Sequence, residues 1–270
     1  IQHAYIVPTP HLNILQWTPS QFHLILAHLM KDKAYADHYK KLKEEGHFII
    51  MDNGAFEEGT PYQTKELLKI CKENFAPDVI VAPDYPQLPY YITMKSFEDF
   101  QEEWGDHYPE MEIMAVPQSE TGDWKGWLAA YDYFRAHKRA DWIGLSILGI
   151  PNAFCAATGT MDISTNRVYA CTAIQRLFNK RDEIVPKKHH ALGMGSPREL
   201  LLQKAIGLID SNDSSSAIWH GLHGIKFDDS ATALVGGKIK IPVDFNKKFI
   251  IDVYVQECLT HNINYMEQMR

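Results

Sequence analysis

Cysteine is sparse and scattered: Cys71, Cys155, Cys171 and Cys258 form no CxC or CxxC pair and join no cysteine–histidine cluster. A structural zinc needs three or four such ligands close together, so no metal is expected and the thiols read as reduced. Basic charge is also short, with 27 Lys and Arg against 34 Asp and Glu and a formal net charge of −7. Packaging DNA by overall charge is thereby excluded, and any nucleic acid must be met by a local basic patch. No apolar run approaches the roughly 18 residues of a membrane span. Ile1-Gln2-His3 lacks the charged-then-apolar layout of a signal peptide. The expectation is a soluble cytoplasmic protein with no membrane partner. Internal repeats and low-complexity tracts are missing too.

What is present is a chain of 270 residues, 45% of them hydrophobic, enough for one large core. Short β-rich apolar runs alternate with longer amphipathic stretches throughout, the pattern of repeated βα units around a parallel sheet. Strands are expected at Ala4-Val7, Phe48-Met51, Val79-Ala82, Ile113-Val116, Trp142-Ser146, His190-Gly193 and Leu208-Asp210, with a weak eighth near Ile225-Phe227. Helices are expected over 19–30, 61–74, 92–103, 123–137, 165–179, 197–206 and 246–268. Thr18-Pro19-Ser20-Gln21, Thr60-Pro61-Tyr62-Gln63 and Ser196-Pro197-Arg198-Glu199 each offer a capping hydroxyl, Pro at the first helical position and Gln or Glu at the third. The segment from Ala231 to Phe245 reads as a hairpin or an irregular closure. Together these imply a TIM-type (β/α)8 barrel over 1–270, one domain, closed by the C-terminal helix over 246–268.

In such a barrel the loops after the strands build the active site, so polar residues following apolar strands are the ones to inspect. Asp52, Asp84 and Asp213 stand at or after three different strands, with Gln118 after a fourth and glycines permitting close backbone approach. That set suits a pocket which holds a planar, hydrogen-bonding ligand and moves protons around it. Each aspartate alone has a plainer reading: Asp52-Asn53-Gly54 is turn chemistry, Asp84 precedes Tyr-Pro in a loop, and Asp213 could cap a helix. Gly193-Met194-Gly195 could seat an anion or simply make a strand-to-helix turn. Ser214-Ser215-Ser216 lacks the glycine-flanked elbow of a serine nucleophile. Phe56 could be core, and Trp219, His220 and His223 could be packed or surface residues.

Taken in order, these segments resemble the tRNA-guanine transglycosylase superfamily over about residues 48 to 217, most closely the shorter phage members that insert 7-deazaguanines into DNA, the DpdA group. Leu192-Gly193-Met194-Gly195-Ser196-Pro197-Arg198-Glu199-Leu200, followed by Gly207-Leu208-Ile209-Asp210-Ser211-Asn212-Asp213, looks like the family's Met-Gly-Val-Gly-x-Pro-x-Asp-Leu and Gly-Ile-Asp-Met-Phe-Asp-Cys signatures. The resemblance makes Asp213 the nucleophile. Asp52-Asn53-Gly54-Ala55-Phe56 is similar to Asp-Ser-Gly-Gly-Phe/Tyr, which implies Asp52 as general acid/base and Phe56 as the stacking aromatic. Asp84 and Gln118 match the residues that read the base edge, Gly144 and Leu145 the backbone contact, and Leu192 or Met194 would close over the ring opposite Phe56.

The implied activity is exchange of guanine in DNA for a 7-deazaguanine such as 7-cyano-7-deazaguanine, with tRNA exchange or a non-catalytic nucleic-acid-binding subunit as alternatives. It needs no cofactor, and it places a phage-encoded enzyme in the host cytoplasm. A base inside duplex DNA must be flipped out or offered single-stranded. Lys187, Lys188, His189, Arg198, His220, Lys238 and Lys240 are the candidate nucleic-acid contacts. Two departures stand out: the family's Cys-x-Cys-x-x-Cys zinc site is missing, and its Pro-Thr-Arg-x-x-Arg is replaced by Ser216-Ala217-Ile218-Trp219-His220-Gly221-Leu222. Both put the tRNA contacts in doubt. A homodimer is left open.

Overall fold

The computed structural model describes residues 1–178, 187–194, 196–228, 241 and 243–270. Eight parallel strands form one sheet in the order β1-β8-β7-β6-β5-β4-β3-β2: β1 Gln2–Tyr5, β2 Phe22–Leu26, β3 Phe48–Asp52, β4 Val79–Val81, β5 Glu112–Ala115, β6 Trp142–Gly144, β7 Lys188–Ala191 and β8 Ser211–Ser214. The sheet curls into a nearly closed barrel, with β1 and β2 meeting at the seam. There Ser20 Oγ donates to the His3 carbonyl at 2.6 Å. Helices surround it: α1 Lys33–Glu44, α2 Ala55–Glu58, α3 Thr64–Glu73, α4 Tyr90–Gly105, α5 Trp124–Ala136, α6 Gly149–Thr158, α7 Ile163–Leu177, α8 Pro197–Ile206, α9 Ser216–Leu222 and α10 Val253–Met269. This is the (β/α)8 barrel expected of the sequence. Among the described residues no helix is long and apolar enough to cross a membrane.

Several elements differ from expectation, among them α6, which lies where no helix was expected. The helix expected over 19–30 is strand β2, whose five residues are all buried. An unbroken run of that kind suits a strand covered on both faces. Thr18-Pro19-Ser20-Gln21 starts no helix: Thr18 Oγ1 donates back to the Leu15 carbonyl at 2.8 Å, and Ser20 is used at the seam. Near Ile225-Phe227 there is no strand; Phe227 N donates to Asn262 Oδ1 at 2.7 Å, docking that segment on α10. The strand expected at Leu208-Asp210 lies three residues later, in Ser211–Ser214, where polar side chains are satisfied inside the barrel: Asn212 pairs with His3, and Ser211 with His190.

Of the expected caps, Ser196 does accept from Glu199 N at 3.2 Å, with Pro197 starting α8. The α3 box is displaced from Thr60 to Gln63, whose N–H donates to Glu66 at 2.8 Å. The C-terminal helix starts at Val253, not 246, because Asp252 accepts from Val255 N at 2.8 Å and sets its first turn. Most of the segment from Ala231 to Phe245 lies outside the described residues.

Candidate active site

The C-terminal ends of the strands open on a cavity of about 770 Å³, within the range of small-ligand sites. Its lining includes Asp52, Glu57, Asp84 and Asp213, together with Phe56, Leu192 and Met194. The sequence-predicted carboxylates and their apolar companions therefore meet in one place. Phe56 is 54% exposed despite its size, as a ring left open for a stacking partner would be.

Asp213, the third residue of β8, carries the most ordered surroundings. Its Oδ1 accepts from Gly193 N at 2.8 Å and lies 3.1 Å from His190 Nε2, while His190 Nδ1 lies 2.8 Å from Ser211 Oγ. With His190 protonated on Nε2, serine donates to the ring and the ring to the carboxylate. One oxygen is thus anchored by two donors. Met194 N also donates to the Asp213 carbonyl at 2.6 Å, so the β7 loop and β8 are stitched together. Gly193 has φ of 70°, a conformation that favours glycine, and its carbonyl accepts from Arg167 at 2.9 Å. Arg167 in turn pairs with Glu199 at 3.1 Å, both wholly buried. An ion pair between α7 and α8 therefore holds the loop that holds Asp213.

Asp52 ends β3 and accepts from Gly54 N at 3.1 Å. Burial, then the charges of Glu57 and Asp84, push its carboxyl well above the usual range. Asp84 lies just after β4 and is 5% exposed. Asn53 Nδ2 donates to one of its oxygens at 2.7 Å and Gln118 Nε2 to the other at 2.6 Å. Burial raises it to about 6 against the pull of those two hydrogen bonds. Each Asp84 oxygen keeps accepting capacity for a ligand, since an ionised carboxylate offers about four lone-pair sites.

Gln118 does not line the cavity; it acts on Asp84 from the side. Its Oε1 is buried against Gly149, where a Cβ would stand only 2.2 Å away. Gly144 and Leu145 do not line the cavity either. A Cβ on Gly144 would lie 2.8 Å from Leu192 and 2.9 Å from Val116, so this glycine serves packing, and Leu145 N is committed to the His190 carbonyl at 2.7 Å. Ser146, Ile147 and Leu148, just beyond, reach the cavity instead.

The basic residues divide by barrel end. Lys187 and Lys188 precede or begin β7, at the end opposite the cavity, which corrects their expected place at a nucleic-acid surface. Lys187 is buried and donates to the His137 carbonyl at 2.7 Å; Lys188 pairs with Glu112 at 3.2 Å and covers the Trp142 ring. His189 is buried beside the Tyr131 hydroxyl at 2.9 Å. Arg198, half-buried in the first turn of α8, is at the cavity end. His220 is buried, lines the cavity and hydrogen-bonds the Ser216 carbonyl through Nδ1 at 2.7 Å, with Trp219 beside it. Lys238 and Lys240 lie outside the described residues.

Three residues of the site escaped the sequence reading. Glu57 is one position past the motif that pointed to Asp52. Asn53 looked like a turn residue but orients Asp84. His190 is separated from Asp213 by a strand register that only the folded sheet supplies. Among the described residues no group of three His, Cys, Asp or Glu side chains is arranged to hold a metal ion. No protein-family model matches the chain, and no curated protein does.

Proposed function

We propose that this protein is a base-exchanging transglycosylase, a pentosyltransferase that replaces guanine in DNA with a 7-deazaguanine such as 7-cyano-7-deazaguanine. The observation that carries the reading is the convergence in one cavity of an anchored carboxylate, Asp213, a carboxyl whose ionisation is opposed by burial and neighbouring charges, Asp52, and a carboxylate oriented by two amides, Asp84.

Breaking the bond between sugar and base develops positive charge at the anomeric carbon C1′, which a nearby carboxylate stabilises and then captures covalently. Asp213 is the group for this, its Oδ1 pinned by Gly193 and His190 so that Oδ2 is presented. Guanine leaves more readily once protonated, and Asp52 supplies the acid. The Watson–Crick edge of guanine or 7-deazaguanine offers two adjacent N–H donors, which Asp84 accepts and adenine cannot supply. Phe56 on one side and Leu192 or Met194 on the other would cover the ring. The substrate base must be flipped out or single-stranded to enter.

The test is incubation of the protein with labelled 7-deazaguanine and either DNA or tRNA. Label in DNA, lost in Asp213→Ala, is the expected result. Label in tRNA alone would move the substrate assignment to tRNA, and exchange unaffected by Asp213→Ala would remove the nucleophile.

A further inference from the structure

Four carboxylates line the cavity, and its described lining includes neither lysine nor arginine. Four carboxylates in one partly buried space oppose one another's ionisation, which favours a proton held among them. Asp213, Asp52 and Asp84 have roles above; Glu57 has none. Its Oε2 is buried without a hydrogen-bond partner. It sits on α2, a four-residue helix set between two left-handed glycines, Gly54 and Gly59, on the same loop as Asp52. Of the charges around Asp52, that of Glu57 opposes its ionisation most. Burial, and among other carboxylates first Asp213, raise Glu57 itself to about 7. Glu57 is thus electrostatically linked to both the acid and the nucleophile.

We infer that Glu57 is a second proton carrier, forming with Asp52 a pair in which one carboxyl serves the departing base and the other the incoming one. The inference rests on the base-exchange reading and follows from how the two bases differ. Guanine accepts a proton at N7. A 7-deazaguanine has carbon there, and the proton it must lose is on N9, the atom that will bond to the sugar. The give and take therefore occur at different places.

In the first half, protonated Asp52 gives its proton to guanine N7 as the C1′–N9 bond breaks. The bonding pair stays with the base, which leaves neutral, and an Asp213 oxygen bonds to C1′. In the second half, N9 of the 7-deazaguanine attacks C1′, the carbon–oxygen bond breaks with its pair returning to Asp213, and the N9 proton passes to ionised Glu57. Transfer from Glu57 to Asp52 restores the starting state. Glu57 lines the same cavity as Asp213, the residue proposed to hold the sugar while N9 reacts.

Replacement of guanine by labelled guanine separates this from a structural role, because guanine can arrive by the reverse of its own departure, through Asp52. Glu57→Gln is expected to lower 7-cyano-7-deazaguanine incorporation at least about ten-fold more than it lowers guanine self-exchange, in keeping with the worth of a positioned acid or base. Glu57→Asp should recover part of that ratio. Equal losses in the two assays would overturn the inference while leaving the function standing. Wild-type protein that exchanges neither base would overturn the function, and the inference with it.

Discussion

At the N-terminal end of the barrel, Asp78, Asp141 and Asp210 each stand one residue before a strand and accept the backbone N–H of the strand preceding it, from Ile49 at 2.8 Å, Ile113 at 3.0 Å and His189 at 2.8 Å. Asp78 also pairs with Lys43, and nearby Glu112 receives the Trp142 Nε1 proton at 2.6 Å and the Lys188 ammonium. At the other end, Asp52, Glu57 and Asp84 are held above their usual range, and Glu57 has an oxygen with no partner. One residue type thus does opposite work on one scaffold. Carboxylates below the barrel spend their hydrogen bonds on the sheet, whereas those above keep accepting capacity unspent at a cost in stability. That asymmetry marks a site more firmly than the presence of aspartates does.

The largest expected effect is at Asp213: Asp213→Ala should reduce base exchange by about 10⁴-fold and abolish the covalent adduct with DNA on a denaturing gel. Next is the clamp behind it. Arg167→Met leaves Glu199 buried without its cation, so chemical denaturation should show a loss of about 3–5 kcal/mol. Asp52→Asn and Asp141→Ala address the two ends directly. The first should raise stability at pH 8, where burial and neighbouring charges oppose the carboxylate, while costing exchange roughly 100-fold. The second strands the Ile113 N–H and should lower stability by about 1–3 kcal/mol. If both changes moved stability in the same direction, the contrast between the ends would fail.

Proton linkage gives a smaller, graded effect. Asp84, at about 6, and Glu57, at about 7, bind protons more tightly when folded than when unfolded. Between their ordinary range and these values the folded state holds more protons, so stability falls as pH rises from 5 to 8. Exchange runs the other way on the acid side, because Asp84 must be ionised to accept the base edge. A plot of kcat/KM should decline below about pH 6, and decline again on the alkaline side as Asp52 loses the proton the departing guanine needs. The smallest effect belongs to Lys188→Ala. Its partly exposed ion pair is worth less than about 1 kcal/mol, and DNA affinity should not change.

Much of the architecture could be read from apolar runs such as Phe48-Met51 and Val79-Ala82, since strands covered on both faces need continuous hydrophobic sequence. β8 could not. Ser211-Asn212-Asp213-Ser214 contains nothing apolar, and it is a strand only because His3 and His190 meet its side chains inside the barrel. β2 was hidden by a Thr-Pro-Ser-Gln sequence that imitates a helix start. Asp52, Asp84 and Asp213 were legible as a set from their order and their places near strand ends. Lys187 and Lys188 misled because a strand has two ends, and two residues before its middle is the wrong one.

The seam gives the chain a schedule. β1 has a ladder with β8 but none with β2. Gln2 is therefore aligned with Ser211, and Tyr5 with Ser214. On a ribosome adding roughly 5–20 residues per second, the first strand waits some 10–40 seconds for the last. Until then His3 and Tyr5 have no ladder to join, and a nascent chain halted before Ser211 has an open sheet whose first strand meets β2 only through contacts such as that of Ser20 with His3. Closing the ring and bringing Asp213 into place are one event, so the polypeptide cannot acquire its nucleophile before it has become a barrel.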